Sequence, residues 1–246
     1  MLRRIPRTLL RFELAAVIGI IALGAVCGVL AQQPAPDGAA KGKAKGKGKE
    51  GSGAHAPLFL REEWKQTPSG GEHDVTADAV SNSSLELKLY GTTGKSIQLT
   101  GDAGSDTNPI HLWTGLCNTV CSATVRDKNR YADMTGLAKI RWVTKVSGFH
   151  KVHPILKLAD GTWLAGDEAD GSILDWHENE FSIADVRWLK FDPERGVTVG
   201  TWVEKPDLSK VDEIGFSDLM PASGHGQGGW SDVGKIEVYA KPVPRS

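Results

Sequence analysis

Tryptophan is the commonest aromatic residue of this 246-residue chain, with eight against six phenylalanines and three tyrosines. Trp142 falls in phase with Ile140, and Trp188 shares a face with Val186, so both are expected in a core. Trp113, Trp163, Trp176, Trp202 and Trp230 instead stand beside Gly, Thr, Asp or His, in stretches that read as strand ends and loops, where a large ring is hard to bury completely. A flat indole face suits the C–H side of a pyranose, and its N–H adds a polar handle. Trp113, Trp163, Trp176 and Trp202 are therefore candidate ligand-binding residues, together with His153, Lys157 and Arg187. The parity of HPILK places His153, Ile155 and Lys157 on one face of a strand. His150 and Arg141 join that basic group if their strands are neighbours, and a basic concave patch could bind uronate or phosphate or abstract a proton from an acidic sugar.

The segment DGTWLAGDEADGSILDWHENE, residues 160–180, is the densest polar stretch. It reads as solvated acidic loops, as a calcium site or as carboxylate chemistry. Asp167, Glu168 and Asp170 could supply the oxygens a structural Ca²⁺ requires, although the twelve-residue EF-hand spacing is missing. Two carboxylates about 5–9 Å apart across a cleft would suit glycoside cleavage. No catalytic residue can be assigned. G-x-S-x-G, H-E-x-x-H, G-x-G-x-x-G and Walker patterns are all missing from the sequence, which removes the cheapest support for serine hydrolase, metalloprotease and nucleotide cofactor readings. No cofactor is required by what remains.

These residues need a scaffold, and the charge distribution locates it. The formal net charge of -1 is an average over unlike parts. Arg3, Arg4, Arg7 and Arg11 precede an apolar run of 18 residues ending at Ala31, the form of a secretory signal, or of a retained membrane anchor with its N-terminus in the cytoplasm. Residues 32–56 alternate Lys with Gly or Ala and cannot build a core, so they read as a disordered linker. Five lysines between Lys41 and Lys49 could also hold an anionic surface, in a salt-sensitive way. From Pro57 onward, 20 basic residues face 27 acidic ones, and neither an acidic domain nor an export signal suits a nucleic-acid partner. Localisation is expected to be periplasmic or extracellular, with or without retention by the anchor. In that compartment Cys117 and Cys121 are expected to pair, which requires CNTVC to bend.

Residues 57–246 are expected to form one β domain. Short apolar or alternating runs follow one another between Gly, Asp, Asn and Ser, with no βαβ rhythm. LELKLY at 85–90 should be a strand with its leucines inward, and KSIQLT should be its hairpin partner. LAKIRWVTKV should bury Ile140 and Trp142 opposite Lys139, Arg141 and Val143. KVHPILKLADGTWLAG reads as two strands turning at Asp160 and Gly161, with Pro154 arguing for an edge position. About ten strands in a two-sheet β-sandwich satisfy the pattern.

VDEIGFSDLM and KIEVYAKP, with YADMTGLAKIRWVTKVSG before them, resemble the closing strands and a central core strand of galactose-binding-like jelly-roll domains, as found in carbohydrate-binding modules. The resemblance covers residues 130–240. Val211, Ile214, Gly215, Phe216, Ile236, Val238 and Tyr239 fall on it, all as structural positions. It implies a jelly-roll sandwich and a glycan or polysaccharide partner. A glycoside hydrolase or polysaccharide lyase on the same scaffold is the alternative, and a structural envelope protein is the third reading. The Gly-rich stretch 221–234, which contains His225, departs from that pattern and leaves the binding face open.

Overall fold

A computed structural model describes residues 55–224, 226 and 228–245. The signal or anchor segment, nearly all of the lysine-rich linker and His225 lie outside the described residues. The remainder belongs to a unit running from Glu50 to Ser246. Its strands are β1 (Leu58–Glu62), β2 (His73–Asp74), β3 (Leu85–Tyr90), β4 (Gln98–Thr100), β5 (His111–Trp113), β6 (Cys121–Asp127), β7 (Arg130–Asp133) and β8 (Lys139–Val146). They continue as β9 (Val152–Leu158), β10 (Trp163–Gly166), β11 (His177–Ser182), β12 (Trp188–Asp192), β13 (Val197–Val203), β14 (Val211–Asp218), β15 (Ser231–Tyr239) and β16 (Lys241–Pro244). Only two short 3-10 turns, Ala77–Ala79 and Gly94–Ser96, break the all-β content of the described residues.

The strands form two sheets. A seven-stranded sheet runs β11-β8-β15-β5-β4-β2, with β1 also paired to β15. A nine-stranded sheet runs β13-β12-β10-β9-β14-β6-β3, with β7 on β14 and β16 on β7. Strand β8 shows why the sheets pack: Ile140, Trp142, Thr144 and Val146 are buried, while the residues between them are partly exposed. One face of a pleated strand must leave water, and the facing sheet receives it. Trp142 meets Phe181 edge to face at 4.8 Å, within a core that also holds Leu112, Leu156, Leu164, Ile214, Phe216, Ile236 and Val238. Trp188 is buried in the same core.

One expected pairing and one expected edge position differ from the structure. LELKLY turns its leucines toward the core, but its partner is β6 rather than KSIQLT. The chain coils at Gly94–Ser96 and crosses to the other sheet, where Gln98–Thr100 lies between β2 and β5. The β9–β10 hairpin does turn at Asp160 and Gly161, where Gly161 adopts φ +90° and Leu158 N–H donates to the Thr162 carbonyl at 2.8 Å.

Pro154, however, lies in an interior strand, between β10 and β14. The Leu158–Thr162 hydrogen bond sets the phase of the ladder, so Pro154 stands opposite Gly166 at a position where an amide should donate. The Gly166 carbonyl accepts instead from His153 Nδ1 at 3.0 Å. The ring of Pro154 then needs a glycine across from it, since a Cβ on Gly166 would lie 2.8 Å from Pro154 Cγ.

The bend at CNTVC is present, with a disulfide joining Cys117 and Cys121 across a Cα separation of 6.1 Å. It closes the connection from β5 to β6, which changes sheets. Replacing both cysteines by alanine should lower the unfolding free energy by about 2 kcal/mol, the loop-entropy value for so small a ring. Urea unfolding of the oxidised protein and the double variant would measure it, and equal midpoints would remove the bond from the stability of this crossover.

Candidate functional site

The residues with candidate chemistry divide among three places. Trp163, His153 and Lys157 share the outer face of the nine-stranded sheet. Trp202 and Arg187 pair at its β13 edge, with the guanidinium 4.4 Å from the indole centroid. Trp176 lies partly exposed on the outer side of the seven-stranded sheet, whereas Trp113, expected at a strand end that is hard to bury, is only 3% exposed on that side. His150 and Arg141 do not join the basic group, because His150 is buried against Asp218 and Arg141 lies in the opposite sheet, among Glu178, Glu180 and Glu237.

The face carrying Trp163 is largely filled by the protein itself. Trp163 meets Tyr90 edge to face at 4.7 Å, and Lys157 Nζ lies 5.4 Å from its ring centroid. Buried Glu213 accepts hydrogen bonds from the Tyr90 hydroxyl at 2.7 Å, the Thr124 hydroxyl at 2.7 Å and Lys157 Nζ at 3.0 Å. Ile155, Ala165 and Phe191 form a small second core beside Trp163 and Leu219. The β12–β13 turn reaches across to Val120 so closely that a Cβ on Gly196 would lie 2.4 Å from the Val120 side chain. Burial and the bond to Glu213 push the Tyr90 phenol far above its usual value, and burial holds the His153 imidazole below its own. Tyr90 is thus kept protonated, the wrong state for a general base, and His153 Nδ1 is committed to the sheet.

The acidic segment is dispersed rather than convergent. Asp167 pairs with Arg187 at 2.7 Å, Glu168 is exposed, and Asp170 is buried. These three carboxylates, expected to share calcium, do not meet, and the described residues contain no group of three or more His, Cys, Asp or Glu able to hold a metal. Glu178 and Glu180 project from β11 into ion pairs with Lys139, Arg141 and Lys235. Within this segment Asp167, Asp170, Glu178 and Glu180 are thus engaged in ion pairs and hydrogen bonds, with Glu178 and Glu180 sharing Arg141.

Asp170 has a positioning role instead. Its backbone bridges Val152 in both directions, at 2.8 and 2.9 Å. Its carboxylate accepts from the Thr144 hydroxyl and lies 2.8 Å from His177 Nε2. The Ile173 carbonyl accepts from Val146 N–H at 2.9 Å. These ties fix the segment that delivers Trp176 to the outer face of the seven-stranded sheet. There the Trp176 indole N–H donates to the Thr107 carbonyl at 3.2 Å, its ring meets His111 edge to face at 5.0 Å, and Lys145 Nζ lies 6.0 Å from its centroid. It also lies over Gly234, at the bulge in β15 between Val233 and Lys235. A Cβ there would come within 3.3 Å of the indole, so the bulge glycine makes room for the ring.

Trp176 touches residues that line two cavities. One, of about 530 Å³, lies between residues 63–66 and the 103–110 loop, with Val143, Gly234 and Lys235 also in its lining. The other, of about 220 Å³, is bounded by Glu72, Thr100, Asn108, His111, Trp113, Lys145, Trp230 and Asp232. Both use the register that pairs β15 with β8 and β5: Asp232 stands opposite Lys145 on one side and Trp113 on the other. His111 and Asp232 were not singled out for this place from sequence alone. The signal available was their parity, since His111 and Trp113 must share a face, but the strand that brings Asp232 between Trp113 and Lys145 is more than a hundred residues away.

The chain thus presents a two-sheet β-sandwich with an indole-rich, mixed-charge outer face. Among solved structures it is similar to a family 11 carbohydrate-binding module of a cellulosomal cellulase of Clostridium thermocellum, with 12% identity and a TM-score of 0.37 over 73% of this chain and 95% of that one. It is also similar to PfGH50B, with 8% identity and a TM-score of 0.38, and to the Emp47p carbohydrate recognition domain, with 7% identity and a TM-score of 0.29. The match covers 66% of this chain but only 23% of PfGH50B, and 65% of this chain and 89% of the Emp47p domain. These are likenesses of architecture and assign no residue a role. No protein-family model and no curated protein matches the chain.

Proposed function

We propose that the protein is an exported carbohydrate-binding β-sandwich that holds a glycan against the outer face of its seven-stranded sheet. The observation that carries this reading is Trp176, a half-buried indole held by its own anchored segment and touching the walls of two cavities. An aromatic platform with polar groups on either side is the arrangement a sugar ring requires, since C–H faces pack on the indole while hydroxyls reach side chains. Lys145, Asn108, His111 and Asp232 supply those groups on the side of the small cavity. Export is supported by the arginine-led apolar run at the N-terminus and suits the Cys117–Cys121 disulfide.

The test is titration of the full chain with neutral and acidic oligosaccharides, followed by tryptophan fluorescence and by assays for new reducing ends and unsaturated products. A saturable fluorescence change with at least one glycan class and no product is expected. Absence of any response across the panel would overturn the proposal, and product formation would replace binding by catalysis.

A further inference from the structure

One end of the sandwich is nearly free of charge. Strands β5, β8 and β14 end there and β6, β9 and β15 begin there, so the loops 114–120, 147–151 and 219–230 lie beside one another. Lys151 is the only Asp, Glu, Lys or Arg in these 24 residues, whereas the chain from Pro57 onward carries nearly one in four. Apolar side chains take the place of charge. Leu116, Phe149 and Met220 are exposed on these loops, and Ile173 and Leu174 join them from the β10–β11 connection, where the Ile173 carbonyl accepts from Val146 N–H at 2.9 Å. These five are half of the ten large apolar side chains exposed among the described residues. Apolar surface concentrated in this way marks a docking site. We infer that this end docks on a lipid bilayer, with Phe149, Leu174 and their neighbours entering the headgroup boundary.

Backbone bonding, side-chain exposure and charge select the bilayer as occupant. The loops bond to one another, with Ala222 N–H donating to the Cys117 carbonyl at 2.8 Å, Gly224 N–H to the Gly115 carbonyl at 2.8 Å and Ser147 N–H to the Trp230 carbonyl at 2.9 Å. Backbone groups satisfied inside the protein are what an apolar medium demands. Phe149 is 82% exposed and Leu174 63%, so each projects largely by itself. Such side chains enter between lipids, but they give little shape complementarity to the same end of a second copy. Charge sets the kind of lipid. From Pro57 onward acidic residues outnumber basic ones by seven, which opposes anionic headgroups. The apolar end is flanked by Lys151 and Asp175, both exposed and of opposite sign, so a zwitterionic surface matches it. The outer faces of both sheets are left clear, and this surface stands or falls apart from glycan recognition.

The experiment adds an indole to either end of the full chain, as Phe149→Trp or Leu137→Trp, and mixes each variant with phosphatidylcholine vesicles whose acyl chains are brominated close to the headgroup. Leu137 is 65% exposed just before β8, at the opposite end of that strand from Phe149. It therefore reports any attachment made through other parts of the chain. After subtraction of the parent signal, the indole of Phe149→Trp should be quenched about twofold or more strongly than that of Leu137→Trp. Adding Leu116→Ser and Leu174→Ser to Phe149→Trp should remove that excess with an unchanged thermal midpoint, since both side chains are exposed. Equal quenching at the two ends, or none at either, would overturn the inference. In the second case, a parent chain that sediments as a dimer and a Phe149→Ser variant that does not would assign this end to a second copy.

Discussion

Replacing Asp218 by alanine is expected to lower the unfolding free energy by about 3–5 kcal/mol, a large share of the 5–15 kcal/mol that holds a typical domain folded. Asp218 ends β14 in the nine-stranded sheet, and its carboxylate is fully buried. Oδ2 accepts from the Thr114 hydroxyl at 3.0 Å, the Ser231 hydroxyl at 2.9 Å and His150 Nδ1 at 2.6 Å, while Oδ1 accepts from Met220 N–H at 3.2 Å. Thr114 follows β5 and Ser231 opens β15, both in the other sheet. One carboxylate therefore joins the two layers. Without it, two hydroxyls, an imidazole and an amide lose their acceptor in a place water does not reach, which costs far more than the net value of the bonds. Thr114 and Ser231 also hold each other, with the Thr114 amide donating to the Ser231 carbonyl at 3.0 Å and the Ser231 amide to the Thr114 hydroxyl at 2.9 Å. They directly adjoin Trp113 and Asp232, so the same substitution should disturb the small cavity. Urea unfolding reports the effect, and a loss below about 1 kcal/mol would contradict this role.

The second large effect is on binding. Trp176→Ala should weaken glycan affinity by about 2 kcal/mol or more, roughly thirtyfold, which is the scale of a central aromatic anchor. Stability should change little, because the ring lies on the outside of the sheet and its main polar tie is one hydrogen bond to the Thr107 carbonyl. Trp163→Ala provides the contrast. It removes a ring packed on Tyr90 and beside the second small core, so it should lower the unfolding midpoint and leave glycan affinity near that of the parent. Calorimetric titration of both variants, with thermal unfolding alongside, separates the two. The reverse result, with affinity lost in Trp163→Ala and kept in Trp176→Ala, would move the site to the other sheet.

Local pattern carried much of the architecture. The alternation along Lys139–Val146, the inward leucines of Leu85–Tyr90, the turn at Asp160 and Gly161 and the Cys117–Cys121 bond are all set by neighbours within a few residues, and each is present. Pro154 misled because its missing amide is replaced by a side chain, His153, which strand propensity does not register. The acidic segment left solvated loops, a calcium site and carboxylate chemistry open in sequence, because only long-range pairing tells its charges apart: Asp170 is buried and bonded to Thr144 and His177, while Glu178 and Glu180 face outward. Which tryptophans share a face depended on long-range pairing. Trp113 and Trp163 both adjoin turn-forming residues, yet one sits beside β15 and the other beside β9, in different sheets.

The most direct measurement is a nitrogen–proton correlation spectrum of the indole N–H groups during titration with a bound oligosaccharide. The eight tryptophans give eight reporters distributed over both sheets and the core. Trp176, Trp113 and Trp230 are predicted to shift together and saturate at one affinity, while Trp142, Trp163, Trp188 and Trp202 stay in place. Shifts confined to Trp163 or Trp202, with Trp176 unmoved at saturation, would contradict recognition on the outer face of the seven-stranded sheet.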